Sequence, residues 1–161
     1  MAVGGVAVLR KGKAPPPPLP STDTEGSQSY IEAGTERIGL WRELEDLEND
    51  LENRRIRRKG YNRRRRMLLQ RLSVLTNEAA TYKNQINRRG SEYAELTQRL
   101  EDAEKEVRTT HADIDRLKTQ LQRGRLPQNE YRTLREACDE RLRKARTGME
   151  GVILELRQLG D

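Results

Sequence analysis

The chain has 161 residues, of which 36% are charged, 33% apolar and 4% aromatic; it contains no Phe, one Trp (Trp41) and one Cys (Cys138). That apolar share excludes a large globular core, no run approaches the roughly 18 apolar residues of a membrane span, and a single Cys excludes a disulfide scaffold while suiting a reducing cytosol or nucleus. Lys and Arg number 32 against 26 Asp and Glu, a net charge of +6, and what remains is an elongated helical protein or a largely disordered one, with an enzyme disfavoured.

Residues 1–29 are rich in Pro, Gly and Ser, and Pro15 to Pro18 stand in a row. Four prolines favour a polyproline II path and forbid a helix, so this segment is predicted to be an extended or disordered arm, open to a proline-binding partner. Met1 to Leu9 has no basic residue before it and no small-residue cleavage site, which makes a poor secretory signal.

Helix is predicted to begin between Ser29 and Glu36, where Ser29 and Glu32 have capping-box spacing and Thr35-Glu36 offers a second start. From there a heptad seam runs to residue 121. It consists of Leu40, Leu44, Leu47 and Leu51, then Leu68, Leu72, Leu75 and Ile86, then Leu96, Leu100, Val107, Ile114, Leu117 and Leu121, with Ala79, Tyr82, Tyr93 and Ala103 among them. A register kept that long predicts one left-handed coiled coil over residues 30–123, of which Glu36 to Arg123 would make a rod of about 130 Å at 1.5 Å per residue. Such a rod cannot bury its stripe alone, so the pattern calls for a coiled-coil partner. In a parallel homodimer Asp50 would face Arg55, Glu78 Lys83, Arg99 Glu104 and Asp113 Lys118; seam arginines and tyrosines favour a heteromeric partner at least as well.

The seam fails at one place. Residues 54–66 hold Arg54, Arg55, Arg57, Arg58, Lys59, Arg63, Arg64, Arg65 and Arg66 and no acid; without them the chain has 23 bases and 26 acids. Eight of the nine are Arg, whose planar fork suits bidentate pairing with carboxylate or phosphate. The segment is therefore the candidate docking site for an acidic surface, with tubulin and its acidic tails, nucleic acid or an acidic coil as partners. In outline, a basic stretch followed by Leu68, Leu75 and Leu96 resembles the bZIP transcription factors over residues 53–96. It departs from them at Gly60 in mid-patch, in lacking the characteristic Asn with paired Ala, and at Tyr82 and Arg89, where leucines should repeat.

Gly124 and Pro127 predict a break over 124–127, as a kink or a reversal, and residues 128–161 a second amphipathic helix with Tyr131, Leu134, Cys138, Leu142, Met149 and Leu156 on its apolar side. Nothing points to a cofactor, a metal or catalysis. His111, the only His, falls at an e position and reads as a surface residue, and the acids read as helix-surface charge. The fold class is all-α. The function expected is that of a structural coiled-coil subunit of a cytoskeletal assembly in the cytoplasm, microtubule-associated and in a ciliary or flagellar axoneme. The alternatives are a nuclear or ribonucleoprotein nucleic-acid binder and a proline-rich adaptor.

Overall fold

A computed structural model describes residues 22–160. Four helices follow one another: α1 (Thr22–Glu52), α2 (Arg58–Asn87), α3 (Ser91–Gln122) and α4 (Gln128–Gly160). No strand occurs among the described residues, and the chain is all-α.

The single helix expected over 30–123 does not form. It is divided at 53–57 and at 88–90, and the 124–127 break is a reversal rather than a kink. The physical reason lies in the seam: apolar stripes of 30 residues find partners within the chain once it folds back. Ion pairs give the layout. Arg71 meets Glu36, Lys83 meets Glu101, Arg99 meets Glu155 and Arg42 meets Glu150, so each helix runs antiparallel to the ones before and after it, and α4 closes back on α1. The fold is an up-down-up-down four-helix bundle. Helix α1 packs most closely on α2, and α3 on α4; contacts between these two hairpins are sparser.

Of the predicted seam, Leu44, Leu47, Leu68, Leu72, Leu75, Ile86, Leu96, Leu100, Val107 and Ile114 are buried in this core; Leu40, Leu51, Leu117 and Leu121 are half-buried. The stripe is thus covered within one chain and does not itself demand a second. The homodimer pairs are replaced as well: Lys83 takes Glu101, Arg99 takes Glu155, Lys118 takes Glu52, and Asp113 takes Arg141 and Arg116. Of the four, Asp50 and Arg55 alone pair among the described residues, and they do so within the chain at 3.6 Å.

Helix also starts earlier than the capping signals suggest. Residues 22–29, assigned to the arm, form the first two turns of α1, because Ser27 and Tyr30 are buried and Gly26 lies so close to Gln85 that a Cβ would collide with it. Tertiary packing outweighs local capping here. The rest of the proline-rich arm, residues 1–21, lies outside the described residues.

The two hairpins are copies of one design. Adding 70 to the bounds of α1 and α2 gives 92–122 and 128–157, against observed helices Ser91–Gln122 and Gln128–Gly160. Tyr61 and Tyr131, Arg65 and Arg135, Arg71 and Arg141, and Leu72 and Leu142 are identical residues at equivalent places. The connections 53–57 and 123–127 have the same length and the same hydrogen bonds. Arg54 N donates to Leu51 O and Arg55 N to Asp50 O, as Gly124 N does to Leu121 O and Arg125 N to Gln120 O. Each is a Schellman ending, with a left-handed residue just past the helix. Gly124 adopts φ 69° at no steric cost, whereas Arg54 does so at φ 58°, which costs about 1 kcal/mol or more for a residue with a Cβ.

Candidate functional site

Because α1 and α3 run parallel, the turns 53–57 and 123–127 emerge at the same end of the bundle. Glu52 fastens them there. Its carboxylate accepts from Arg135 Nε at 3.2 Å and Tyr131 Oη at 3.4 Å, and Lys118 Nζ lies 3.5 Å away. The predicted patch, 54–66, therefore comprises the first turn and the start of α2 at one pole. Arg54 and Arg58, which fall at heptad-seam positions by number, are exposed on it.

Folding adds to that patch residues that spacing alone does not associate with it. Arg123 and Arg125 from the second turn are exposed at the same pole, and Arg132 stands one turn into α4. Between 53 and 66 and between 116 and 132 the sequence holds fourteen basic side chains and one acid. Two of the nine patch residues have carboxylate partners: Arg55 with Asp50, and Arg65 Nη2 with Asp115 at 3.1 Å. Arg54, Arg57, Arg58, Lys59, Arg63, Arg64 and Arg66 form no ion pair among the described residues, nor do Arg123 and Arg125. The apolar residues of the two turns, Ile56 and Leu126, are half-buried. Tyr61, at the base of the patch, is buried, and that burial raises its phenol pKa above the ordinary 10.

Below the pole lies a buried polar layer that sequence reading misses. His111 is 6% exposed, not a surface residue, and its Nδ1 bonds Glu48 Oε1 at 3.3 Å. Trp41 stacks on the imidazole and donates from Nε1 to Glu104 Oε2, which also faces Arg37 Nε at 3.3 Å. Glu48 and Glu104, read as surface acids, are 2% and 3% exposed. For Glu48, burial acts to raise the carboxyl pKa, but the hydrogen bond and charge of His111, with Lys118 and Arg135, hold it below the ordinary 4.5. The one sequence signal for this layer is that Trp41 and His111 occupy equivalent repeat positions. This layer joins α1 to α3, and within it His111 Nε2 and Arg37 Nε are buried without a hydrogen-bond partner among the described residues.

Cys138 is buried, and loss of hydration raises its thiol pKa above 9.0, in keeping with a packing role. Among the described residues no group of His, Cys, Asp and Glu is placed to hold a metal ion, and no helix is long and apolar enough to cross a membrane. Set against known proteins, the chain matches no family model and no curated sequence.

Proposed function

We propose that this protein is a structural docking module, a subunit of a larger cytoskeletal assembly, that attaches to an acidic protein surface through its arginine-rich pole. A microtubule with its acidic tubulin tails is the surface this reading favours, in the cytoplasm and in an axonemal setting. The observation that carries it is a contrast in the use of arginine. Along the body, Arg37, Arg42, Arg71, Arg99, Arg141 and Arg146 each face a carboxylate on another helix, whereas at the pole most guanidinium groups have none. Unpaired, exposed forks in one cluster raise the local potential and suit carboxylates on an approaching partner. Rod length lends nothing to the axonemal setting, since each helix spans about 45–50 Å; the proposal rests on the pole.

Nucleic acid is the second reading, favoured by the density of arginine. Against it stands the lack of a stacking platform: Tyr30, Tyr61, Tyr93 and Trp41 are buried and Tyr82 and Tyr131 half-buried, so single strands find no exposed ring. The adaptor reading concerns Pro15 to Pro18, outside the described residues.

Cosedimentation with stabilised microtubules, before and after subtilisin removes the tubulin tails, tests the proposal. Binding that falls sharply after subtilisin and with added salt is the expected result. Failure to bind microtubules, together with salt-dependent binding to duplex or single-stranded nucleic acid, overturns it.

A further inference from the structure

The pole is formed by two turns of equal length and equal backbone geometry, one from each repeat. At equivalent places, just past the left-handed residue, stand Arg55 and Arg125, both exposed. Arg55 has Asp50 beside it, while the residue equivalent to Asp50 is neutral Gln120, so Arg125 has no neighbouring acid of that kind. The turns are also unequal in charge: Arg54, Arg57, Arg58 and Lys59 in the first repeat correspond to Gly124, Pro127, Gln128 and Asn129 in the second. Arginine thus reaches across the whole end of the bundle, dense on one side and sparse on the other.

Resting on the docking reading above, we infer that the two turns form one composite site whose occupant is a single extended, acidic polypeptide segment lying across both, with Arg123 and Arg125 binding its far half. Three observations support an extended segment over a folded partner. The two turns themselves carry no exposed large apolar side chain with which to build a dry interface centre, since Ile56 and Leu126 are half-buried and the exposed Met67 and Leu134 lie further along α2 and α4. Its donors are long side chains on two separate turns, which reach carboxylates strung along a chain. Two helices side by side measure about 20 Å, which about six extended residues cover at 3.3 Å each.

Fluorescence anisotropy of labelled oligoglutamates of three, six, ten and fifteen residues against the full chain tests this. Affinity should rise up to a length of six to ten residues and then level off. The double variant Arg123→Ser with Arg125→Ser should weaken the ten-residue peptide about three- to tenfold and leave the three-residue peptide unchanged, because the short peptide occupies the denser turn. Arg63→Ser with Arg64→Ser serves as the comparison, and circular dichroism checks that both variants remain helical. If Arg63 and Arg64 matter and Arg123 and Arg125 do not, the composite site is wrong and the docking reading stands. If no oligoglutamate binds at any length while a nucleic acid does, the docking reading itself fails.

Discussion

Trp41 and His111, 70 residues apart in the chain, stack ring on ring at the centre of the bundle, with centroids 5.2 Å apart and planes 17° from parallel. They occupy the same position in the two repeats, so the residues on which the hairpins meet are each other's counterparts. Each ring bonds a buried glutamate of the other hairpin, Trp41 to Glu104 and His111 to Glu48. The hairpins therefore join in part through a polar layer set into the core.

That layer makes stability depend on acid. The Glu48 carboxyl is held below 4.5 in the folded bundle. A group whose folded pKa is depressed contributes stability that is present above its unfolded pKa and is lost as pH falls through the folded value. Urea midpoints should drop on acidification below about pH 4.5. Glu48→Gln should be less stable than wild type at pH 7 by about 1–3 kcal/mol, and the gap should close as the pH is lowered. A gap that is constant from pH 7 to pH 3 would show that Glu48 plays no such part. Asp139, whose pKa burial raises, contributes with the opposite sign, so the comparison is with the variant rather than with wild type alone.

Arg54→Gly separates the two demands on the first turn. Glycine relieves the strain at φ 58° and should raise stability by about 1 kcal/mol in urea unfolding. The same change removes one unpaired guanidinium and should weaken binding to an acidic surface about two- to threefold. A variant that gains affinity, or loses stability, would contradict this account of the turn.

Two glycines within α1 should answer differently to alanine. Gly39 is exposed and a Cβ there would meet nothing within 4 Å, so Gly39→Ala should gain the helix-propensity difference of about 1 kcal/mol. Gly34 is buried, and its Cβ would fall 2.7 Å from Ile153 Cδ1, itself held in the core. Gly34→Ala should forfeit that gain and match or fall below wild type. Thermal unfolding of the two variants side by side checks the ordering.

The repeat predicts how the molecule comes apart. Fragments covering 22–87 and 91–160, cut at the short 88–90 link, should each show reduced helicity alone, because Leu44, Ile114 and the Trp41–His111 layer lose their cover. Mixed in equal amounts they should regain helicity and elute as one complex. Two fully helical monomeric hairpins would mean that the layer between them adds little.

Helix content was legible in the sequence, and so were the basic patch and the break at 124–127; the breaks at 53–57 and 88–90 were not. The repeat of 70 residues equals ten heptads, so the second hairpin resumes the register of the first and no shift of register marks a helix end between Leu40 and Leu121. Arg54 and Arg58 fit that register while standing in a turn and at a helix start. The 88–90 turn is carried by Gly90 at φ 149°, a weak mark when glycines are scattered elsewhere. His111 and Glu48 look like surface residues because nothing local says that a helix will lie over them. Arg123 and Arg125 join the patch only through topology: equal turns in a two-hairpin bundle come out on one side.

That topology also sets the two ends of the molecule apart. With both long turns at the basic pole, Thr22, Gly160 and the 88–90 link all fall at the opposite end, about 45 Å away along the helices. The basic pole and Thr22 are thereby held one helix length apart.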